Sequence, residues 1–101
     1  MVYISIALNF TIYFLEANNR VAEKLREQGA TVFAFRCDIT NKDEVYRVAE
    51  EVKNQVGHVT ILVNNAGVLY CHPFLKCSDK LLRRQVEVNS VAHFWVGLKF
   101  Q

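Results

Sequence analysis

Residues 60–67 read T-I-L-V-N-N-A-G, a run of branched apolar residues that ends in two amides, an alanine and a glycine. An apolar run without polar alternation predicts a strand that is buried on both faces, as in a parallel sheet. We therefore predict a strand over residues 59–63, followed by a turn over residues 64–67. Gly67 suits a turn because glycine adopts positive φ angles. Ligands bind at the carboxyl ends of such strands, which makes the turn a candidate binding site.

The segments before this strand alternate between strand and helix patterns. Residues 10–15 and 31–36 are rich in β-branched and aromatic side chains, which predicts two further strands. Apolar residues at helical spacing follow each of them, over residues 18–28 and again from a cap at Thr40 or Asn41. Alternating strands and helices with short connections predict a parallel α/β sheet.

A last helix is predicted from Ser78 and Asp79 towards Phe100. It carries Asn89 in the sequence V-E-V-N-S-V-A-H-F-W, where most neighbours are apolar. An asparagine in such a place either bonds its own helix or has a functional role. The residues alone leave both readings open.

Composition narrows the functional classes. The 101-residue chain carries 12 basic and 10 acidic residues in interleaved order, so no basic run predicts nucleic-acid binding. The length permits one domain, below the roughly 150 residues of a complete doubly wound nucleotide-binding domain. The three cysteines (Cys37, Cys71 and Cys77) lack metal-ligand spacing, so we expect reduced thiols and no metal site. His58 and His93 are expected to be surface or packing residues.

Residues 1–15 carry no charged side chain. We expect a strand at residues 10–15, with a membrane anchor or an unstructured start as the alternatives. A spanning helix needs about 20 apolar residues, and this run is shorter.

Three features together resemble the nicotinamide-dependent short-chain dehydrogenase/reductase family, most closely its microsomal branch of retinol and hydroxysteroid dehydrogenases. They are the Cys37-Asp38-Ile39 sequence, the turn at residues 64–67, and Asn89. The resemblance covers about residues 10–100. It implies an oxidoreductase that uses NAD, with NADP as the alternative, on retinol-like or steroid alcohols or carbonyls.

The resemblance also implies a role for each residue of the candidate cofactor site. Asp38 and Ile39 would lie beside the adenine ring, as hydrogen-bond acceptor and apolar cover. Asn65, Ala66 and Gly67 would let the backbone pass close to a ribose.

Two more residues receive roles from the resemblance. Glu16, which would follow the first predicted strand, would bond the adenosine ribose and favour NAD over NADP. A solvated carboxylate is the alternative. Asn89 would support a water molecule that links the catalytic lysine to solvent, within an Asn-Ser-Tyr-Lys tetrad.

The 101 residues lack two parts of the family's machinery. No tyrosine is followed by a lysine four residues later, and no glycine precedes Glu16. We therefore expect a partial Rossmann-type, doubly wound parallel sheet without the Gly-rich first βα unit and the C-terminal catalytic part. Residues 1–8 are not expected to replace the missing strand, because a short link would make them antiparallel.

The chain alone is then expected to be inactive, the alternative to an enzyme fragment being a truncated product with at most a binding role. Family resemblance further implies a homodimer through the Asn89 helix. It also implies an intracellular location at the endoplasmic reticulum or lipid droplets, where membrane association would occur.

Overall fold

A computed structural model of the chain describes residues 2–8, 12–70 and 73–100. Two strands and four α-helices occur in these ranges: β1 (Val2–Leu8), α1 (Ile12–Glu27), β2 (Thr31–Cys37), α2 (Lys42–Gln55), α3 (Asp79–Val86) and α4 (Ala92–Lys99). A 3₁₀ turn (Phe74–Lys76) precedes α3, and a π-helical segment (Glu87–Val91) joins α3 to α4. None of the helices within the described ranges has the length and apolar content to cross a bilayer.

The two strands form a parallel pair, in register from Val2 opposite Thr31 to Leu8 opposite Cys37. The 16-residue helix α1 connects them and packs on both. A parallel pair requires such a crossover, because the chain must return to the starting end of the first strand before it forms the second. The predicted α/β class is therefore confirmed for this β-α-β unit.

The first strand lies eight residues earlier than the sequence predicted. The prediction of a strand at residues 10–15 is wrong, because residues 12–15 form the first turn of α1; residues 10 and 11 lie outside the described residues. The expected antiparallel orientation of residues 1–8 is not observed, since Val2–Leu8 pairs in parallel with β2 and takes the place predicted for residues 10–15. A short run of branched and aromatic residues suits a helix start as well as a strand. The pairing of Val2–Leu8 with β2 decides in favour of the helix, because a parallel pair needs residues 12–27 as the crossover connection.

The third predicted strand, at residues 59–63, is also wrong. Residues 57–70 form neither helix nor strand, and the side chains of Ile61 and Val63 are 80% and 77% exposed. A strand needs a neighbour that pairs with its N–H and C=O groups, and within the described part of the chain the sheet contains only β1 and β2. The apolar sequence is therefore present without the ladder that would bury it.

The main core lies between β2, α2 and α4. Side chains alternate between the two faces of a strand, and in β2 Phe35 and Cys37 belong to this core. The predicted apolar stripe of α2 is confirmed as its buried face. Helix α4 contributes Ala92 and Val96, four residues apart, to the core. The main-core residues are Phe35, Cys37, Ile39, Val45, Val48, Ala49, Val52, Val88, Ala92, Val96 and Phe100. Burial raises the pKa of the Cys37 thiol to about 12, so it stays protonated at neutral pH.

The ends of the helices follow local hydrogen bonding. Asn41 caps α2, since its Oδ1 accepts from the backbone N–H groups of Asp43 at 3.1 Å and Glu44 at 3.2 Å. Ser78 caps α3 through the N–H of Leu81. Gly57 follows α2 with a φ of 107°, a conformation that strongly favours glycine. The predicted cap at Asn41 and the start of the last helix at Ser78 are confirmed.

The exposure of residues 61–63 leads to a test. We expect the double substitution Ile61→Lys and Val63→Lys to raise solubility, because charges interrupt an apolar, strand-prone run. The free energy of unfolding should change by no more than about 0.5 kcal/mol, since neither side chain is buried. Turbidity and thermal melting measure the two effects.

The matched control is Val45→Lys, which places a charge at a fully buried position. It should abolish the cooperative melt, because an unpaired charge in an apolar core is strongly unfavourable. A comparable loss of stability in the Ile61 and Val63 variant would mean that residues 61–63 are packed, contrary to the structure.

Candidate functional site

The loop after β2 is linked to α3 through a threonine. Asp38 Oδ1 accepts hydrogen bonds from the backbone N–H of Thr40 at 3.0 Å and from its hydroxyl at 2.7 Å. Arg84 in turn donates from Nη1 to the Thr40 hydroxyl oxygen at 3.3 Å. Thr40 thereby fixes the orientation of the Asp38 carboxylate and ties the loop to the helix. Ile39 between them is buried in the core, with 4% of its surface exposed.

Asn89 holds the chain just after the predicted turn. Its Oδ1 accepts from the backbone N–H of Val68 at 2.8 Å, and its Nδ2 donates to the Val68 carbonyl oxygen at 2.8 Å. Of the two readings left open by the sequence, bonding to its own helix is not what these contacts show. The residue lies within the π-helical segment, a type of local widening that often occurs at functional sites.

Two residues on the same side of the helix continue this contact. Gln85 Oε1 accepts from the backbone N–H of Tyr70 at 3.1 Å, and His93 Nε2 lies 2.9 Å from the carbonyl oxygen of Ala66. We call residues 66–70 the turn segment, and the face formed by Gln85, Asn89 and His93 the polar face. Gln85 was not predicted from the sequence, and His93 was expected to be a surface or packing residue. The available signal was the four-residue spacing of these polar side chains.

The turn residues themselves lie at the surface beside this helix. Asn65 and Gly67 are exposed, whereas Ala66 packs against the core. Gly67 has no positive φ, so backbone conformation does not require a glycine there. A Cβ at this position would lie 3.5 Å from Asn89 Oδ1, an ordinary contact.

Glu16 lies apart from its predicted setting. It belongs to the second turn of α1 and its side chain is exposed, whereas β1 ends at Leu8. The prediction that Glu16 directly follows the first strand is therefore wrong, because that strand is shifted towards the start of the chain. The position of Glu16 therefore no longer favours NAD over NADP.

Comparison with known proteins identifies the class and then the family. Three solved structures share the fold. A hydroxysteroid dehydrogenase from Escherichia coli superposes with a TM-score of 0.83 and 31% identity, over 96% of this chain and 39% of that one. A 7α-hydroxysteroid dehydrogenase in complex with NADH and 7-oxo glycochenodeoxycholic acid gives 0.82 and 31%, over 96% and 36%. A blue fluorescent protein from a metagenomic library in complex with NADPH gives 0.80 at 21% identity, over 99% and 39%, which shows the fold alone.

Residues 7–100 match the family model described as short chain dehydrogenase. The chain belongs to this family of oxidoreductases, which confirms the prediction from the three sequence features. It is 46% identical over 86 residues to epidermal retinol dehydrogenase 2 of Mus musculus, covering 84% of this chain and 28% of the relative. It is 43% identical over 86 residues to retinol dehydrogenase 10 of Bos taurus, covering 85% and 25%. The chain thus spans about a quarter of the length of these relatives.

Proposed function

We propose that the chain contributes the adenosine side of a nicotinamide dinucleotide site in an oxidoreductase that acts on retinol-like or steroid alcohols or carbonyls. The observation that carries the proposal is that both segments expected at the nucleotide are bonded to one helix. Arg84 holds Thr40 beside Asp38, and Asn89 holds Val68 beside the turn. Relatives named as retinol dehydrogenases and a structural neighbour that contains NADH support it.

At the adenine side, Asp38 would keep its expected task as hydrogen-bond acceptor, whereas Ile39 would have a different task from the one that the resemblance implied. With Oδ1 of Asp38 held by Thr40, Oδ2 would accept from the exocyclic amine of adenine. The side chain of Ile39 is buried, so it has little surface with which to cover a ring. In this proposal Ile39 anchors the loop in the core and offers the ligand its backbone only.

At the ribose side, Asn65, Ala66 and Gly67 would lie beside the sugar, with the exposed backbone of Gly67 permitting close approach. Asn89 would keep its part in proton transfer through its side-chain oxygen. That oxygen accepts one bond from Val68, and an amide oxygen has a second lone pair with which to hold a water molecule.

The cofactor is proposed as a nicotinamide dinucleotide, with NAD and NADP both open. An acid at the end of β1 would favour NAD, but the first acidic residue after Leu8 is Glu16. Bound, the cofactor would supply hydride transfer. The doubly wound sheet of the family is the proposed setting for β1 and β2.

Assembly and location belong to the same proposal. Helix α4 exposes large apolar side chains, with Phe94 70% and Leu98 67% exposed, which would suit pairing with a second copy of the chain. Endoplasmic reticulum or lipid droplets are the proposed location, from the resemblance to the microsomal branch.

The nucleotide site can be tested by removing the negative charge of Asp38. Asp38→Asn keeps an Oδ1 acceptor for Thr40 and replaces the second carboxylate oxygen with an amide donor. We expect it to weaken NADH binding about tenfold, the size of one hydrogen bond to a charged group. Amide chemical-shift titration, which tolerates weak binding, measures the affinity and should show shifts at Ile39 and Gly67.

The matched control is Asp43→Asn, the same change at an exposed position in the first turn of α2. It should leave NADH affinity within about twofold of the starting chain, because only an exposed, solvent-screened charge is lost. Equal effects of the two substitutions, or NADH shifts that avoid Ile39 and Gly67, would contradict the proposed site.

A second candidate is a catalytically inactive product with a binding role, which is favoured by the absence of a Tyr-x-x-x-Lys sequence in these residues. We predict that the 101-residue polypeptide has no dehydrogenase activity with retinol or steroid alcohols, because no tyrosine–lysine pair is present to take up the proton. NADH formation is the measurement. A rate above that of a heat-treated sample would refute inactivity.

A further inference from the structure

We propose that the polar face replaces a neighbouring strand along one edge of the turn segment, and that Gln85 and His93 are positioning residues for the nucleotide site. The strand replacement rests on hydrogen bonds alone. The positioning role of Gln85 and His93 rests on the proposed function. Together they give a role to two side chains that the resemblance does not use.

The bonded groups form a complete edge. In an extended chain the N–H and C=O of one residue point to the same side, and every second residue shares that side. The polar face bonds the carbonyl of Ala66, both groups of Val68, and the N–H of Tyr70. These are the four consecutive backbone groups that a neighbouring strand would engage along this edge.

The spacing of the two partners also agrees. Two residues of extended chain advance about 6.6 Å. Four residues of regular α-helix advance about 6.0 Å, and the π-helical segment (Glu87–Val91) lies within both helical steps. Each step from Ala66 to Val68 to Tyr70 is therefore matched by a step from His93 to Asn89 to Gln85, running in the opposite direction. The side chains of the polar face bridge the remaining difference, since the distances of all four contacts lie between 2.8 and 3.1 Å.

The chemistry of each contact is specific. The N–H of Tyr70 requires an acceptor, which Gln85 supplies. Val68 requires both an acceptor and a donor, which the Asn89 amide offers on two separate atoms. The carbonyl of Ala66 requires a donor, so His93 carries a proton on Nε2. The order of glutamine, asparagine and histidine thus corresponds to the order of backbone groups.

This arrangement explains how an irregular segment keeps a defined position. Residues 57–70 have no strand partner in the described part of the chain, so the polar face supplies the backbone contacts of residues 66–70. The same helix holds Asp38 through Arg84 and Thr40. The helical run from α3 through the π-helical segment to α4 therefore bonds both the adenine and the ribose sides.

Amide hydrogen exchange on the isotope-labelled 101-residue chain tests the geometry without any cofactor. Gln85→Leu should speed exchange at Tyr70 about three- to tenfold, as expected for the loss of one hydrogen bond. His93→Leu frees the Ala66 carbonyl while the Val68 N–H keeps its bond to Asn89, so it should speed exchange at Val68 indirectly, by loosening the neighbouring contact. His93→Gln, which keeps a side-chain donor, should restore most of the protection. Arg83→Ala, at an exposed position on α3, is the control and should leave both rates within about twofold.

Two sets of outcomes decide the matter. Unchanged exchange at Val68 and Tyr70 in both leucine variants would overturn the strand replacement, whether or not NADH binds. If His93→Leu unfolds the chain, the comparison of His93→Gln with Gln85→Leu decides in its place. A threefold or greater loss of NADH affinity in His93→Leu, recovered in His93→Gln, is expected for a positioning residue. Protection that responds as expected, in a chain whose amides show no NADH shifts, would retain the strand replacement and refute the nucleotide site.

Discussion

The packing of α2 between β2 and α4 is the constraint on which the rest of the structure depends. Val45, Val48 and Val52 of α2 are almost completely buried there, and burial of each large apolar side chain contributes about 1.5–3 kcal/mol. The opposing helix turns Val88 and Ala92 into the same core. This contact fixes both the position of the last helix and its rotation about its own axis.

The rotation of that helix has a direct consequence for the candidate site. Asn89 and His93 each follow a buried residue by one position, which places them on the adjoining side of the helix. They face the turn segment because Val88 and Ala92 face the core. One side of the helix thus packs in the core while another side bonds the turn segment. A substitution that rotates the buried stripe would displace the contacts to Ala66 and Val68.

The correct predictions from the sequence concern helix caps, a buried helix face and the family. Asn41 and Ser78 cap their helices, the stripe of α2 is buried, and the three family features identify the family. The wrong predictions concern strands, whose formation depends on a neighbouring strand to pair with. Residues 10–15 and 59–63 have strand-like composition, but strands form only where a neighbour is present, and the observed pair uses residues 2–8 instead. The shift of that strand also removed the setting predicted for Glu16.

The candidate site divides in the same way. Asn89 was found from its sequence context, but Gln85 and His93 were not, because their importance depends on backbone groups about 15 and 27 residues away in the chain.

The contact between Asn89 and Val68 is tested most directly by scalar coupling across its two hydrogen bonds. We expect detectable coupling between the Asn89 side-chain nitrogen and the Val68 carbonyl carbon, and between the Val68 nitrogen and the Asn89 side-chain carbonyl. No coupling, together with a Val68 amide that exchanges as fast as that of Ile61, would contradict the account.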